Sequence, residues 1–578
     1  MEIERTFDLL DHLSNRNSSE IALAQKRRGK WLTYTIEEYI NNTRYIGSSL
    51  LFHGIKKGDR IASITNDRPE WNFIDLGVQM IGAIHIPIAF TSEEKVVEYI
   101  LQETEARVVF ISNRVVFIRL KKILSKLPKV EMIISFININ ECEDFANFLV
   151  NGKDSFDPAK IKSIKDTISP DDLGAILYTS GTSSQPKGVM LTHRNLCMVF
   201  QEFPKLFSTN PGSNALSVLP LSHIGARKMN YVYQFKGLPV YYSDSNSNII
   251  DVLKEVKPEF TAFVPFLLDK IHSQILRSSF ESKGLKKWLA KYAYQLTQEF
   301  DINNKSLLFS LKHIFFNYLY YKKWRQESGG KLRNVICGGA SVAESLLKFY
   351  WAIGVPVYEV YGLTETTSLV STNRPKATKF GTVGKAYTDI EVTTDNSSEI
   401  ICKGDNITVG YYKKPELTKR DIDENGFFHT GDLGVIDEDG FIKITGRKKE
   451  IFKTASGDYV APEMIENKIK QSTFISQAMV YGANMEYLST LIVPDFESLE
   501  NWAKTNNISY TDYNQLIQNE AVKKLLSSEI NKYHTAIIDA ERIERIKLLT
   551  HKWSVETGEL SSLMKLKRNY ILKKHKSL

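Results

Sequence analysis

The chain has 578 residues, of which 42% are hydrophobic and 25% are charged, and its formal net charge is +8. Because one hydrophobic core rarely grows beyond roughly 250–300 residues, this length predicts at least two domains. The composition is that of a globular protein and excludes a low-complexity or fibrous chain. The modest basic excess suits an anionic partner, such as a nucleotide, a coenzyme or a lipid surface, and equally suits an ordinary solvated surface.

The cysteines and the N-terminus indicate in which cellular compartment the protein is expected. Cys142, Cys197, Cys337 and Cys402 are far apart and show no CxxC spacing, so a reducing compartment fits best. The N-terminus is acidic and polar and lacks the apolar centre of a signal peptide. The most apolar stretch, residues 76–90, is too short to span a bilayer as a helix. We therefore expect a cytoplasmic protein, with peripheral contact at the inner face of the membrane as a further option.

The first part of the chain alternates between helical and extended patterns. The predicted elements are helices over 35–52 and 70–81 and strands over 61–64, 84–88 and 173–179. Residues 173–179 are a continuous apolar run, which is typical of a strand buried on both faces. This alternation predicts an α/β fold with a mostly parallel sheet.

The strongest chemical signal follows the last of these strands, in the sequence YTSGTSSQPKG at 178–188. Hydroxyls and free backbone N–H groups on such a loop can surround phosphate oxygens, and Lys187 adds a positive charge. The loop is not a Walker A loop, because Pro186 precedes the lysine and Gly188 follows it. It therefore predicts a different kind of nucleotide-phosphate site.

This loop resembles the phosphate-binding loop of the acyl-adenylate-forming superfamily, which contains acyl-CoA synthetases, luciferases and nonribosomal adenylation domains. Similar motifs follow in the family's order: LPLSHI at 219–224, CGGA at 337–340, YGLTET at 361–366, TGDL at 430–433, GR at 446–447 and GELSSLMKLKR at 558–568. The loop departs from the family pattern at Ser183 and Ser184, where Thr and Gly are expected. Loss of a glycine stiffens the loop, which bears on rate more than on identity.

The resemblance implies a domain organisation. It implies an N-terminal domain over 1–446, built of mostly parallel sheets flanked by helices and a distorted β-barrel subdomain. A small, mobile α+β domain follows over 447–578. The charged run at 447–450 is typical of a domain hinge, or of a simple charged turn, and Lys449 matches the family's hinge position.

The resemblance also implies roles in nucleotide binding. A carboxylate and ATP are both anions, so their reaction needs a metal ion and fixed cations. Glu365 in YGLTET matches the magnesium ligand, and Asp432 and Arg447 match the ribose-binding pair. The remaining residues expected at ATP or AMP are Thr179, Ser180, Gly181, Thr182, Ser183, Lys187, Gly339, Ala340, Tyr361, Gly362 and Thr364.

Three residues are expected to act in catalysis: Lys565, Thr182 and Lys187. Lys565 takes the place of the family's catalytic lysine, which would bridge the carboxylate and the α-phosphate as charge builds. Lys567 lies two residues away and is a rival for that role. His223 and Gly338 are expected to border the acyl substrate, although a core histidine is the ordinary alternative for His223.

The segment 279–332 resembles the insertion of the long-chain fatty acyl-CoA synthetase branch. It combines aromatic and basic residues, so it is either a packed helical pair or an amphipathic face that touches a membrane. The implied reaction activates a fatty acid with Mg·ATP to acyl-AMP and pyrophosphate, and then transfers the acyl group to coenzyme A.

Two alternatives remain open: a fatty acyl-AMP ligase that loads a carrier protein, and a non-enzymatic relative that binds lipid or nucleotide. Nucleic-acid binding is not expected, because no known binding motif is present. Chain length of the acid and oligomeric state stay undetermined by the sequence.

Overall fold

The computed structural model describes residues 3–17, 20–179, 185–243, 248–302, 306–534, 541–561 and 565–575, except the side chain of Ser278. The structural statements below concern these residues. Four predicted phosphate-loop residues, Ser180, Gly181, Thr182 and Ser183, lie outside them.

The strands are short and distributed along the whole chain. In chain order they are β1 (Ile21–Arg27), β2 (Lys30–Thr35), β3 (Arg60–Thr65), β4 (Ile84–Ala89), β5 (Val108–Ile111), β6 (Met132–Ser135), β7 (Glu143–Asp144), β8 (Leu173–Thr179), β9 (Lys187–Thr192), β10 (Ala215–Ser217), β11 (Val240–Tyr242), β12 (Phe260–Phe263), β13 (Asn334–Cys337), β14 (Val357–Tyr361), β15 (Ser371–Thr372), β16 (Lys385–Ala386), β17 (Glu391–Thr394), β18 (Glu399–Lys403), β19 (Gly410–Tyr411), β20 (Phe428–Ile436), β21 (Ile442–Arg447), β22 (Phe452–Lys453), β23 (Tyr459–Val460), β24 (Ile475–Tyr481), β25 (Leu488–Pro494) and β26 (Ile543–Leu548).

The helices flank these strands. In chain order they are α1 (Asp8–Ser14), α2 (Ile36–Phe52), α3 (Pro69–Gln79), α4 (Glu94–Thr104), α5 (Arg114–Leu124), α6 (Phe145–Asp154), α7 (Pro158–Lys165), α8 (His193–Leu206), α9 (Ile224–Phe235), α10 (Ile249–Val256), α11 (Pro265–Phe280), α12 (Gly284–Gln298), α13 (Leu307–Phe316), α14 (Lys322–Glu327), α15 (Glu344–Ala352), α16 (Pro415–Asp421), α17 (Pro462–Ile469), α18 (Phe496–Thr505), α19 (Tyr513–Gln518), α20 (Glu520–Tyr533) and α21 (Arg568–Lys574). A π-helical turn at Asn317–Tyr321 joins α13 to α14.

Two large sheets with parallel centres form the main body. One has the order β16-β15-β14-β13-β12-β10-β11-β1-β2, and its strands from β14 to β1 pair in parallel. The other has the order β19-β9-β8-β4-β3-β5-β6-β7 and is parallel from β8 to β7. Helices between consecutive strands are what parallel pairing requires. The predicted α/β class is therefore confirmed.

A third sheet of four antiparallel strands, in the order β17-β18-β20-β21, carries the TGDL and GR motifs. The distorted barrel that the resemblance implies for this part of the chain stays a prediction.

A buried polar network joins the two large sheets. Asp75 of α3 accepts from Arg227 and Tyr231 of α9, at 2.5 and 2.6 Å. It also contacts His85 Nδ1 of β4 at 2.7 Å, while the other ring nitrogen lies 2.8 Å from Ser63 Oγ. Asp75, His85 and Arg227 have no exposed surface. The order Ser, His, Asp is that of a hydrolase triad, but these side chains lie in the core, where they link elements of both sheets.

The chain after residue 450 has its own core. A hairpin of β22 and β23 precedes a three-stranded sheet in the order β24-β25-β26. The largest apolar cluster of this part draws its buried residues only from positions 469–571. Separate cores fit the predicted boundary after Gly446, which stays a prediction.

Polar contacts connect this part with the main body. Lys567 Nζ lies 3.3 Å from Glu93, and Arg277 Nε lies 3.7 Å from Glu497. Asn467 donates to Ser341 Oγ at 2.5 Å. All three contacts lie at the surface of the molecule.

Helices α12 to α14 have one packed and one exposed face. Phe316, Tyr321 and Trp324 are buried in the apolar cluster around β13. The opposite face exposes apolar side chains at Leu307, Leu308, Leu311, Ile314, Phe315 and Tyr318. The buried face fits the predicted packed helices, and membrane contact through the opposite face stays a prediction. Within the described ranges, no helix combines the length and apolar character needed to cross a bilayer.

Candidate active site

Most of the predicted site residues line a single cavity of about 830 Å³. The predicted residues in its wall are Thr179, Lys187, His223, Gly338, Gly339, Gly362, Thr364, Glu365, Asp432, Arg447, Lys449 and Lys565. Ala340 and Tyr361 are not in this wall. The cavity has the size of an ordinary small-molecule site.

One corner of the cavity brings opposite charges together around a tyrosine. The hydroxyl of Tyr411 lies 3.0 Å from both Glu365 Oε1 and Asp421 Oδ2. Lys187 Nζ lies 3.5 Å from Asp421 Oδ2 and 4.6 Å from the Tyr411 ring centre. Burial alone would raise the pKa of Asp421, but hydrogen bonds from Arg420 and Tyr411 hold it below its ordinary value. Lys187 is thus held in place by Asp421 and Tyr411.

Glu365 fits the role of magnesium ligand. Burial raises the pKa of its carboxyl, and the charge of Lys187 works against that shift. A buried carboxylate with this tendency gains from a nearby cation. Magnesium is commonly held by one or two carboxylates together with substrate phosphates, so a single glutamate suffices on the protein side.

The predicted ribose pair is in contact with the acyl-adenylate motif. Asp432 and Arg447 face each other across β20 and β21, and Arg447 Nε lies 3.0 Å from Asp432 Oδ1. Tyr361 donates its hydroxyl to Asp432 Oδ2 at 2.8 Å. Burial raises the pKa of Asp432, and Arg447 opposes that shift. This carboxylate keeps acceptor capacity for hydroxyl groups at the cavity wall.

At two positions of the predicted site, close packing leaves room only for glycine. A Cβ at Gly338 would lie 2.7 Å from Val360 Cγ2, and one at Gly362 would lie 2.4 Å from the carbonyl carbon of Ser368. Neither position can hold a larger residue without displacing a neighbouring strand or loop. The backbone can therefore approach a ligand closely at both positions.

Lys565 is a half-buried lysine of the C-terminal motif. Burial lowers its pKa, and the charges of Arg447 and Asp432 act on it in opposite directions. Lys567 also lies in the cavity wall, but its ammonium pairs with Glu93 at 3.3 Å. The geometry thus favours Lys565 over its rival for contact with a ligand.

His223 stands directly before α9, in the cavity wall. Burial lowers its pKa to about 4, and the charge of Lys565 contributes to the same shift. At neutral pH the ring is therefore uncharged. An uncharged ring is compatible with the expected place of His223 beside the acyl substrate, which stays a prediction.

The sequence interpretation missed Lys228. This side chain of α9 is 3% exposed and lies in the cavity wall. Its Nζ donates to the Ser368 carbonyl oxygen at 2.6 Å and lies 5.2 Å from the Phe203 ring centre. Burial lowers its pKa to about 7. A lysine in a helix pattern ordinarily indicates a surface position, so only the tertiary structure could have singled it out.

A second acidic group at the rim involves Asp395, Glu399 and His429, whose ligand atoms lie within 4.8 Å of one another. Lys448 Nζ is 2.8 Å from Glu399 Oε2. The ammonium already balances the buried carboxylate, so this group fits a structural ion pair next to the predicted hinge.

Comparison with known proteins identifies the family of this chain. Residues 10–412 match the family described as AMP-binding enzyme. The long-chain-fatty-acid–CoA ligase FadD15 of Mycobacterium bovis is 29% identical over 95% of this chain and 92% of its own length. The peroxisomal long chain acyl-CoA synthetase 7 of Arabidopsis thaliana is 28% identical over 93% of this chain and 79% of its own length.

Among solved structures, the anthranilate CoA ligase AuaEII in complex with anthranoyl-AMP has a similar fold. Its TM-score is 0.72, at 18% identity over 99% of this chain and 97% of its own length. The family match covers well over half of the sequence. The chain therefore belongs to the AMP-binding enzyme family.

Proposed function

We propose that this enzyme is an ATP-dependent ligase, which activates a long-chain fatty acid as acyl-AMP and then transfers the acyl group to coenzyme A. The observation that carries the proposal is the convergence of Lys187, Glu365, Asp432 and Lys565 on one cavity. Relatives named as long-chain-fatty-acid–CoA ligases, which match nearly the whole chain, support the choice of acid and acceptor.

In the first half-reaction, a carboxylate oxygen of the fatty acid attacks the α-phosphorus of ATP. The bond from that phosphorus to the bridging oxygen breaks, and pyrophosphate leaves. Lys565 donates to the carboxylate and to the α-phosphate while both carry negative charge. Lys187 holds the leaving phosphates, and Asp432 accepts hydrogen bonds from the ribose hydroxyls. Glu365 would hold a magnesium ion, which would offset negative charge on the phosphates.

In the second half-reaction, the thiol sulfur of coenzyme A attacks the acyl carbonyl carbon, and AMP leaves with the electrons of the broken C–O bond. We infer that the domain 447–578 turns about Lys449 between the two steps. Residues 448–450 form a turn directly after β21, and Lys449 is exposed there. Such a turn can absorb a change of backbone dihedrals without loss of core packing.

The test is product analysis of the purified full chain with ATP, magnesium and acids from acetate to oleate. Pyrophosphate exchange into ATP should depend on the acid, and AMP release should depend on coenzyme A and be highest with long chains. Exchange without CoA-dependent release would favour the carrier-protein alternative. No exchange with any acid would favour the non-enzymatic alternative.

We also propose peripheral membrane contact through residues 280–330, where the exposed face of α13 provides the contact surface. Leu307, Leu308, Leu311 and Ile314 are between 65% and 83% exposed. Their spacing places them along one side of the helix. Residues 306–326 contain Lys312, Lys322, Lys323 and Arg325 and no acidic residue. An apolar face with a basic border is typical of helices that lie in the surface of anionic bilayers. The expected location, at the cytoplasmic face, stays a prediction.

Vesicle co-sedimentation tests this surface. The triple substitution of serine at Leu308, Leu311 and Ile314 should abolish binding to vesicles of phosphatidylcholine with phosphatidylserine. Glutamate at Lys286, Lys287, Lys322 and Lys323 should remove the preference for phosphatidylserine. The matched control is serine at Val115 and Ile118, which are 76% and 65% exposed on α5. If all these variants bind vesicles equally, the exposed face of α13 does not mediate membrane contact.

A further inference from the structure

Lys228 is a buried cation in the wall of the acyl-activating cavity, and the reaction proposed above does not use it. It lies five residues after His223, or about 7.5 Å farther along the axis of α9. Lys565 influences the pKa of His223, whereas burial alone accounts for the shift at Lys228. His223 and Lys228 both line the cavity, so an acyl chain that passes His223 and continues along α9 would reach Lys228.

The hydrogen bonding of Lys228 is incomplete. A lysine ammonium has three N–H donors and the neutral amine has two. Across the described parts of the chain, its one hydrogen-bond acceptor is the Ser368 carbonyl oxygen at 2.6 Å. The Phe203 ring at 5.2 Å adds a weaker attraction. Within the described residues, at least one donor is thus left for solvent or a ligand in the cavity, although the side chain is 3% exposed.

An unsubstituted hydrocarbon chain cannot supply the missing acceptor. Buried polar groups cost free energy unless they are hydrogen-bonded, so a methylene chain along this wall would leave that cost in place. A site that hydrogen-bonds a substrate oxygen can reject the analogue without that oxygen by factors up to about 10⁴–10⁵. The chemistry of the wall therefore favours an oxygen on the chain.

We propose that Lys228 is a specificity-determining residue, which selects acids that carry a second hydrogen-bond-accepting oxygen along the acyl chain. This inference rests on the proposed acyl-CoA ligase function and narrows its substrate class. The oxygen can belong to a neutral hydroxyl or oxo group or to a second carboxylate, and the substrates of the test distinguish these sources.

The first experiment compares kcat/KM of the wild-type enzyme, read as CoA-dependent AMP release. The substrates are hexadecanoic acid, hydroxyhexadecanoic and oxohexadecanoic acids substituted at successive carbons, and hexadecanedioic acid. At least one oxygenated acid should exceed hexadecanoic acid by about tenfold or more. Preference for the diacid would identify a carboxylate, and preference for a hydroxy or oxo acid a neutral oxygen.

The second experiment uses Lys228→Met, which keeps the length of the side chain and removes its donors. This variant should lose the preference and gain activity on hexadecanoic acid. Lys228→Gln, which retains an N–H donor, should keep part of the preference for a neutral oxygen. Lys160→Met, at an exposed position on α7, is the matched control and should behave as wild type.

Three outcomes separate the possibilities. Equal or better use of hexadecanoic acid by the wild type would overturn this inference and leave the ligase function standing. A uniform loss of activity on all acids in Lys228→Met would also overturn it, because it would indicate a purely structural clamp on Ser368. Absence of AMP release with every acid would instead overturn the ligase function.

Discussion

At the scale of single residues, two lysines of the C-terminal motif compete for one chemical role. Lys565 is half-buried and its pKa responds to Asp432 and Arg447, whereas Lys567 is paired with Glu93 at the surface. We therefore propose that the first contacts both reacting anions. The two substitutions therefore form a matched pair for testing which lysine acts.

Lys565→Ala should slow acyl-AMP formation by about 10²–10³, the usual effect of losing one preorganised donor. The same variant, supplied with preformed acyl-AMP, should still form acyl-CoA at close to the normal rate. Lys567→Ala should leave both rates nearly unchanged. Pyrophosphate exchange and a thioester assay on preformed acyl-AMP measure the two steps separately. A selective loss of acyl-AMP formation in Lys567→Ala would assign the catalytic role to Lys567 instead.

Glu365→Ala should reduce both pyrophosphate exchange and CoA ligation to near background. The carboxylate is the proposed protein ligand of magnesium, and without it the charges of ATP and fatty acid are poorly offset. Glu424→Ala, at an exposed position on the loop before β20, serves as control. Near-normal exchange in Glu365→Ala, measured across a magnesium titration, would assign the metal to another residue.

The predicted site residues that line one cavity all lie in sequence motifs of unusual composition. Glu365, Asp432 and Arg447 come together in one cavity although up to 82 positions separate them along the chain. Tyr411, Asp421 and Lys228 escaped notice, because each lies in an ordinary stretch of sequence. Their importance depends on burial and on partners from distant strands, and neither is visible in local pattern.

At the scale of elements, the sequence patterns located the early helices and strands closely. Strand β8 has the predicted bounds, because a continuous apolar run is distinctive in a buried strand. Helix α2 begins at Ile36, since Thr35 accepts from the Glu38 N–H and completes a capping box. Strands β17, β18 and β20 of the antiparallel sheet were not located from their pattern, because antiparallel strands of this kind give weak periodicity.

The turn after β21 gives a prediction at this scale. Lys449→Pro should spare acyl-AMP formation and impair thioester formation, because proline fixes the φ angle at the proposed pivot. Lys449→Ala removes the charge but not the freedom of the backbone, so it should retain both activities. Pyrophosphate exchange and the thioester assay on preformed acyl-AMP, applied to both variants, measure the effect on each step. Equal loss of both steps in Lys449→Pro, in a folded protein, would argue against a pivot at this residue.

At the scale of the whole molecule, the Asp75 network joins the two large sheets. Asp75→Ala would leave Arg227 buried without its carboxylate, which typically destabilises a protein by about 3–5 kcal/mol. Asp166→Ala removes an exposed partner of Lys162 at 2.6 Å and should leave the unfolding midpoint nearly unchanged. Denaturant unfolding of both variants, followed by fluorescence, measures the difference. Similar midpoints for the two variants would contradict a joining role for the network.

Two histidines with lowered pKa values lead to a prediction of how the free energy of unfolding depends on pH. Burial lowers the pKa of His193 to about 3 and that of His272 to about 4. The ordinary value in an unfolded chain is about 6.5, so between these values the unfolded state binds more protons. Stability should therefore fall as the pH decreases below 6.5, by up to about 2.7 kcal/mol per pH unit from these two groups.

His272→Phe tests this pH dependence, because a phenyl ring can occupy the same place against Phe349, whose ring centre lies 4.4 Å away. The variant should lose about half of that slope and gain stability at pH 5 relative to pH 8. Thermal unfolding across this pH range measures it. An unchanged slope would mean that His272 takes up its proton in the folded state.

The polar contacts between the main body and the C-terminal part have a consequence for how the enzyme responds to its medium. Lys567–Glu93 and Arg277–Glu497 are exposed ion pairs, and such pairs are individually weak. Dissolved electrolyte screens them over a Debye length of about 8 Å at physiological ionic strength. Raising the ionic strength should therefore loosen the arrangement in which Lys565 faces the cavity. The relative rates of the two half-reactions should then depend on the ionic strength of the solution as well as on the protein itself.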